Sequence, residues 1–305
     1  MKRIDNGRRT ADVRQSIPAL LRAHSLHPRK SLGQNFLVDP VALGRIVAAA
    51  ELSSDDVVVE VGAGLGTLTR PLAERAGHVI ALELDNHLVE ILREQLADLP
   101  NVDIVHGDVL QFSGSASYPE RMLSNRGYKV VSNLPYQITS AVLRHFLEKE
   151  PRPRLMVVTV QREVAERIVA GPGKMSLLAV SVQFYGQPRL VARIPAGAFY
   201  PPPQVNSAVV RIDVAEQPAV WQAEGADADQ IEEAAFFRVV RAGFSQKRKT
   251  LRNSLSAGLG LSPALVEEVL EQAGVKPQRR AETLSLQEWA HLVKPLGAIP
   301  RQDRG

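Results

Sequence analysis

The sequence predicts a doubly wound α/β domain, built on a mostly parallel seven-stranded sheet and followed by a smaller all-α domain. Short strands rich in Val and Ile alternate with helical stretches from about residue 39. Such alternation is typical of a parallel sheet covered on both faces. A glycine-rich turn follows the first of these strands directly. Beyond about residue 230, apolar residues recur at helical spacing, which indicates the second domain.

The α/β domain is predicted to hold the following strands, in chain order: 57–61, 79–83, 102–106, 129–132, 155–160, and two more near 179–185 and 207–213. Their β-branched residues indicate buried strands. Helical stretches such as 84–99 and 139–148 connect them. In the second domain, an apolar stripe on one helix or a helix pair comprises Phe237, Val240, Phe244, Leu251 and Leu255. Two more short helices follow at 263–273 and 285–293.

Composition and charge divide the chain into four segments. Residues 1–26 are predicted to be a basic flexible arm, 27–214 the α/β domain, 215–230 an acidic linker and 231–305 the helical domain. Residues 1–30 carry eight basic side chains against two acids. This segregation favours a polyanionic partner, although a lone basic run is more often a solvated helix face.

The composition also excludes several kinds of chemistry. There is no cysteine among the 305 residues, so disulfides, cysteine-ligated zinc, iron–sulfur clusters and thiolate nucleophiles are excluded. No apolar run approaches the roughly 20 residues of a membrane helix, and no signal-peptide pattern follows the basic N-terminus. We therefore expect a soluble cytoplasmic protein that binds no membrane and holds no metal.

The glycine-rich turn Gly62-Ala63-Gly64-Leu65-Gly66 opens a helix. Glycines let the backbone approach a ligand closely, and free amides at the helix N-terminus would face that ligand. Glu83 ends the next strand, about 20 residues on, where its carboxylate can accept both ribose hydroxyls of a nucleoside. Asp108 follows the third strand, where it can bind an adenine amine, although alone it could be an ordinary turn residue.

These groups suit S-adenosylmethionine as the cofactor. No Gly-Lys-Ser/Thr follows the turn, which excludes a phosphate-binding P-loop. Thr67 occupies the position of the third glycine in a dinucleotide fingerprint. A nicotinamide-binding domain of the same fold is the alternative.

Asn133-Leu134-Pro135-Tyr136 follows the fourth strand, at the edge where doubly wound sheets place their ligands. The Asn133 side-chain oxygen and the Leu134 carbonyl can accept hydrogen bonds from an adenine amine and so localise its lone pair. Pro135 stiffens the turn, and Tyr136 can stack on an extruded base. The alternative is a plain strand-to-loop turn.

These motifs resemble those of the ribosomal RNA adenine dimethyltransferase family, from about Pro28 to Val293. Lys30 to Leu37 is similar to the family's opening motif, and Asn133 to Tyr136 to its catalytic tetrapeptide. Within the family, the match is closest to the bacterial 16S rRNA branch. The resemblance implies a Rossmann-like methyltransferase fold with cofactor contacts from Asn35, Leu37, Gly62, Glu83, Asp108 and Asn133, to which the glycine turn adds Gly64 and Gly66.

Phe199 to Ser207 fits the family signature F-x-P-x-P-x-V-x-S. The resemblance implies that Phe199 faces the target base, held at the rim of the site by three consecutive prolines. The alternative is that Phe199 belongs to the core. One departure from the family lies at residues 174–178, where the usual Tyr-Gly-Arg-Leu-like stretch is replaced.

Phe244 to Asn253 resembles the family's basic element, which favours RNA contact there over a solvated face. The predicted RNA-binding residues are Arg238, Arg241, Lys247, Arg248, Lys249 and Arg252. The resemblance implies a monomeric enzyme that dimethylates N6 of two adjacent adenosines in the 3′-terminal hairpin of 16S rRNA, within a small-subunit assembly intermediate. Two alternatives remain open: a 23S rRNA methyltransferase of the erythromycin-resistance type, and a non-catalytic RNA-binding assembly factor.

Overall fold

The computed structural model describes residues 17–29, 32–112, 127–218 and 232–297. The strands are β1 (Phe36–Leu37), β2 (Val57–Val61), β3 (His78–Glu83), β4 (Val102–His106), β5 (Lys129–Asn133), β6 (Leu155–Gln161), β7 (Gly186–Ile194), β8 (Phe199–Tyr200) and β9 (Ser207–Val214). The helices are α1 (Pro40–Ala49), α2 (Thr69–Ala73), α3 (Asn86–Gln95), α4 (Thr139–Glu148), α5 (Arg162–Ile168), α6 (Leu177–Tyr185), α7 (Glu233–Phe244), α8 (Leu251–Leu259), α9 (Pro263–Gln272) and α10 (Leu286–Gly297).

Seven strands form one sheet in the order β4-β3-β2-β5-β6-β9-β7. Neighbouring strands from β4 to β6 pair in parallel, and β9 pairs antiparallel with β6. The predicted doubly wound, mostly parallel sheet with a helical region after it is confirmed. Because the parallel strands share a direction, the residues that end them meet at one edge of the sheet. The two short strands β1 and β8 pair separately, with Leu37 opposite Phe199.

Local signals explain where the helices begin. Asp39 precedes α1, and its carboxylate accepts a hydrogen bond from the Ala42 amide at 2.9 Å. Asp85 caps α3 in the same way through the His87 amide at 3.1 Å. Each cap satisfies an amide that has no partner inside its helix. The helix predicted at 84–99 is therefore shorter, because its first turn starts only after Asp85.

The strand predicted near 179–185 is wrong, because this segment is helix α6. Ser176 caps it, accepting a hydrogen bond from the Ala179 amide at 3.2 Å. The helix is apolar on nearly every face and is largely buried, so its sequence shows no helical period. A short, continuous apolar run does not distinguish a buried strand from a buried helix. The strand itself follows immediately as β7.

The predicted flexible arm is also wrong in its last part, because residues 17–23 are helical. Ile17 and Leu21 are buried and pack with Leu65, Leu88 and Ile91. Two apolar residues four apart place one face of a single helical turn against this cluster. That pattern is too short to register as periodicity. The rest of the arm, and residues 219–230 of the predicted linker, lie outside the described residues.

The chain forms two compact units. The first runs to Ala165 and resumes over Pro188–Val214; the second comprises Glu166–Gln187 and the chain from Ala215. The predicted boundary near 214 thus misses the excursion Glu166–Gln187. Residues 166–187 belong to the second unit because α6 packs there in an aromatic cluster. The ring centroid of Phe184 lies 4.6 Å from that of Phe236 and 5.0 Å from that of Phe237.

A buried ion pair lies at the amino-terminal end of the sheet. Lys129 and Asp56 are each 4% exposed, and Lys129 Nζ lies 3.0 Å from Asp56 Oδ2. The ammonium also donates to the carbonyls of Ala50 and Glu51 at 2.8 and 2.7 Å. Burial opposes ionisation of Asp56, but the Ser53 amide and the Lys129 ammonium hold its pKa below the ordinary value.

Asp56→Ala should lower the free energy of unfolding by about 3–5 kcal/mol, because the Lys129 ammonium would stay buried without its carboxylate. Chemical denaturation at pH 7 measures this loss. Since the folded pKa of Asp56 is depressed, its contribution is present above the unfolded value of about 3.9 and disappears as the pH falls through the folded value. The exposed residue Glu90 in α3, changed to Ala, should shift stability by no more than about 0.5 kcal/mol. Equal, small effects of the two changes would contradict the prediction.

Candidate active site

A pocket opens at the carboxyl edge of the parallel strands, within the first unit. It is lined by these predicted site residues: Asn35, Leu37, Gly62, Gly64, Glu83, Asp108, Asn133, Leu134, Pro135 and Tyr136. Gly66 and Phe199 are not on the lining. The sequence motifs at the ends of β2, β3, β4 and β5 therefore meet in one place.

The glycine turn after β2 is a close backbone approach. Gly62 and Gly64 have φ angles of +69° and +59°, which favour glycine. A Cβ atom at Gly64 would lie 3.1 Å from the ring of Phe36, so a side chain there would displace that ring. Gly66 has a different surrounding, because a Cβ atom on it would lie 3.1 Å from Leu92 in α3. This side of Gly66 therefore packs against α3, and its contact with the cofactor stays a prediction.

Three amides in the first part of this turn have acceptors at the end of β3. Gly62 and Ala63 donate to the Leu82 carbonyl at 2.8 and 3.1 Å, and Gly64 donates to the Glu83 carboxylate at 2.8 Å. The end of β3 lies beside the turn and supplies these acceptors. The turn thus contributes space and shape to the pocket, while its amides hold the two strands together.

Glu83 is 7% exposed and joins the glycine turn to the start of α3. One carboxylate oxygen accepts the Gly64 amide, and the other accepts the amides of Leu84 and Asp85, each at 2.9 Å. Burial raises the pKa of Glu83, although these three donors oppose the shift. A carboxylate offers about four lone-pair sites, so Glu83 retains acceptor capacity toward the pocket.

Glu60 also lines the pocket and was not predicted. It is 2% exposed, and its Oε2 has no hydrogen-bond partner within the described residues. Burial raises the pKa of Glu60 to about 8, so the carboxyl is mainly protonated at neutral pH. One signal could have found it: Glu60 is the single polar residue in a strand that otherwise consists of valines.

Asn133 ends β5 with one half of its amide group fixed and the other half unpaired. Its Nδ2 donates to the Asn35 carbonyl at 3.0 Å, which sets which way the amide points. Its Oδ1 is buried and has no hydrogen-bond partner within the described part of the chain. An unpaired buried oxygen is unfavourable by itself, and such an atom needs a specific explanation. On the pocket lining, it is an acceptor available to a ligand.

The residues after Asn133 form a rigid corner. The Leu134 amide donates to the Thr159 carbonyl at 3.1 Å, which continues the pairing of β5 with β6. Pro135 leads into a short 3-10 turn that begins with Tyr136. The Tyr136 ring is half-buried on the pocket lining, and its hydroxyl is 2.6 Å from that of Ser207.

Phe199 lies in the core of the structure, and its role toward a target base stays a prediction. It is 3% exposed and packs with Leu37 and Ala198 in the cluster beneath the sheet edge. The short pairing of β8 with β1 directs its side chain inward. This burial favours the alternative that Phe199 belongs to the core.

The segment before β1 covers one side of the pocket. Gln34 Nε2 donates to Asp85 Oδ2 at 2.9 Å, and Arg29 forms an ion pair with the same carboxylate at 3.3 Å. Asp85 therefore caps α3 and also anchors this segment. Neither Gln34 nor Asp85 was a predicted site residue, since their pairing depends on tertiary structure.

The predicted RNA-binding residues occupy three kinds of environment in the second unit. Lys247, Arg248 and Lys249 are exposed in the loop between α7 and α8. Arg252 forms an ion pair with Glu267 at 2.8 Å. Two others make further contacts within the unit: Arg238 donates to the Leu296 carbonyl at 3.3 Å, and Arg241 lies 6.0 Å from the centre of the Phe237 ring.

Among the helices that the structure describes, none has the length and apolar character to cross a membrane.

Solved structures with this fold include RNA methyltransferases. The chain is similar to the 23S rRNA methyltransferase ErmE, with a TM-score of 0.64, 29% identity, and coverage of 86% of this chain and 99% of that one. It shares its fold with a dimethyladenosine transferase from Plasmodium falciparum, with a TM-score of 0.69, 23% identity, and coverage of 84% and 95%. The sheet order and the pocket at its carboxyl edge thus define a Rossmann-like methyltransferase.

Sequence relatives specify the family. The chain is 50% identical over 273 residues to ribosomal RNA small subunit methyltransferase A of Dehalococcoides mccartyi (strain ATCC BAA-2266), which covers 90% of each chain. The protein of the same name from Pelotomaculum thermopropionicum is 45% identical over 282 residues, covering 90% of this chain and 93% of the relative. Residues 26–296 match the family described as ribosomal RNA adenine dimethylase. The chain belongs to this family, so its cofactor is of the S-adenosylmethionine type.

Proposed function

We propose that this enzyme transfers methyl groups from S-adenosylmethionine to N6 of two adjacent adenosines in the 3′-terminal hairpin of 16S rRNA. It would act in the cytoplasm, as a monomer, on a small-subunit assembly intermediate. The names of the bacterial relatives support the small-subunit target, and the family description supports adenine. The observation that carries the proposal is the buried, unpaired Asn133 Oδ1 on the pocket lining.

The acceptor groups on the pocket lining support S-adenosylmethionine as the cofactor. Glu83 would accept the ribose hydroxyls, and Asp108 would accept the adenine amine, between the apolar side chains of Leu84 and Val109. A Cβ atom on Gly62 would lie 3.5 Å from the Pro135 ring, so the glycine keeps a side chain out of the lining between the turn and the Asn133 corner. When bound, the cofactor supplies a methyl group activated on a sulfonium.

The corner at Asn133 would prepare the amine that receives the methyl group. The nitrogen lone pair of an adenine amine is delocalised into the ring, which makes it a poor nucleophile. Asn133 Oδ1 and the Leu134 carbonyl would accept its two hydrogens and localise the lone pair on nitrogen. Asn35 keeps Asn133 Oδ1 in place by fixing Nδ2. Tyr136 would stack on the extruded base.

Primer extension on both ribosomal RNAs, after incubation of small and large subunits with enzyme and cofactor, tests the target. The expected result is a pair of adjacent stops near the 3′ end of 16S rRNA. Methylation on 23S rRNA alone would replace this proposal with the erythromycin-resistance type of activity. Absence of transfer to either RNA, with no thermal stabilisation by the cofactor, would favour a non-catalytic RNA-binding role.

The exposed loop Lys247-Arg248-Lys249 would contact RNA phosphates. Its replacement by three alanines should reduce the slope of log affinity against log salt by about one unit or less for each lost contact, because each phosphate contact releases counterions. Filter binding over a range of salt concentrations measures the slope. A matched control replaces the exposed residues Arg45, Arg75 and Arg93 of the first unit, and should leave the slope unchanged. If the two triple variants show the same dependence of RNA affinity on salt, the RNA phosphates do not contact the Lys247-Arg248-Lys249 loop.

A further inference from the structure

The Tyr136 hydroxyl contacts a side chain that no motif marks as catalytic. Its oxygen lies 2.6 Å from Ser207 Oγ, a short hydrogen bond between two hydroxyls. Ser207 is the last residue of the proline-rich signature and the first residue of β9. The contact joins the base-binding corner to a strand whose start lies 71 residues further along the chain.

Ser207 is held in place without help from Tyr136. It is 0% exposed and is the register partner of Gln161 in the β6–β9 ladder. The residue before it is fixed from two directions: the Asn206 carbonyl accepts the Arg162 amide at 3.0 Å, and its side chain accepts the Ala196 amide at 3.1 Å. The backbone of Ser207 is therefore fixed in the sheet, and only one side-chain torsion positions its hydroxyl.

Tyr136 has less support of its own. It begins a single 3-10 turn, and its half-buried ring borders the open pocket. The ring plane depends on two side-chain torsions, and the second of them has a broad preference. A hydrogen bond at the phenol oxygen, the atom furthest from the backbone, restrains both torsions. Buried tyrosine hydroxyls usually find such a partner.

We propose that Ser207 is a positioning residue for methyl transfer: its hydroxyl fixes the plane of the Tyr136 ring on which the target adenine stacks. The inference rests on the proposed function. A base that stacks on a fixed ring presents its amine to Asn133 Oδ1 at a fixed angle. If the ring can tilt, the base stacks in a range of orientations, and the amine meets Asn133 Oδ1 at a range of angles. Burial also raises the pKa of the Tyr136 phenol, so both hydroxyls are neutral and the pair serves as a brace rather than a base.

A double-mutant cycle of Ser207→Ala and Tyr136→Phe tests the proposal on the small subunits used for primer extension. Each single variant should lower kcat about tenfold, the equivalent of one ordinary hydrogen bond. The double variant should lose no more than either single variant, because both changes remove the same contact. With 2-aminopurine at the target position, each variant should show weaker stacking-induced quenching. The affinity for S-adenosylhomocysteine should equal that of the wild type in all three.

The controls separate a positioning role from a folding defect. Ser254→Ala removes an equally buried serine hydroxyl, which bonds within its own helix, and should keep full kcat. If Ser207→Ala does not fold, Tyr136→Phe must still show the tenfold loss with intact cofactor binding. Wild-type kcat in either single variant, or multiplied losses in the double variant, would overturn the proposal. Failure of the wild type itself to methylate small subunits would instead contradict the proposed function.

Discussion

Asn133→Ala should lower kcat for methyl transfer by about 10²- to 10³-fold, the usual effect of removing one preorganised polar group from an active site. The buried Oδ1 has no partner within the described residues, so its removal breaks no hydrogen bond; the loss of Nδ2 leaves the Asn35 carbonyl without that donor. The amine of the target base would lose the acceptor that localises its lone pair. Single-turnover transfer of a labelled methyl group, at saturating cofactor, isolates this step from binding. RNA affinity, measured by filter binding, should stay the same.

A matched control separates polarisation of the amine from general loss of an asparagine. The side-chain amide of Asn101 donates to the carbonyls of Ala73 and Ala76 at 2.9 and 3.1 Å, ahead of β4 and away from the pocket. Asn101→Ala should reduce stability and leave kcat of the folded enzyme unchanged. Near-normal turnover by Asn133→Ala would refute the polarising role. Equal losses in both variants would point to a folding effect.

Much of the fold follows from local patterns. The valine-rich run 57–59 cannot easily be anything but a buried strand, and capping aspartates mark the starts of α1 and α3. Hydrophobic periodicity fails to predict an element that is buried on nearly all sides. Helix α6 is apolar nearly all round, so the run 179–185 carries neither the period of a helix nor that of a strand. Only its packing against other elements determines its conformation.

The site residues also fall into those that local patterns predict and those that only tertiary contacts reveal. Residues that end successive parallel strands, such as Glu83 and Asn133, could be placed together because sheet topology alone brings strand ends to one edge. Contacts that cross between strands and loops could not. Glu60 stands out only because its buried Oε2 has no hydrogen-bond partner within the described residues. Ser207 stands out only because its hydroxyl contacts that of Tyr136, 71 residues away in sequence. The burial of Phe199 could not be predicted for the same reason, since a motif gives the neighbours of a residue in the chain and says nothing of its burial.

Glu83→Ala should weaken binding of S-adenosylhomocysteine by about 100-fold, because two hydrogen bonds from ribose hydroxyls to a charged acceptor would be lost. Calorimetric titration measures the change directly. RNA affinity should fall much less, since the second unit would supply the phosphate contacts. Similar losses of cofactor and RNA affinity would count against the ribose contact and indicate that the variant is misfolded.

The structure adds a second consequence of this change, which Glu83→Gln resolves. The wild-type carboxylate accepts the amides of Gly64, Leu84 and Asp85, so the alanine variant leaves three backbone donors without that acceptor. Its unfolding temperature should therefore fall even without cofactor. Glutamine keeps one acceptor oxygen and should recover part of that stability. It cannot receive two ribose hydroxyls on separate oxygens, so its cofactor affinity should stay low. If glutamine restores both the unfolding temperature and the cofactor affinity, Glu83 acts only by holding the glycine turn. The ribose must then be bound by other groups.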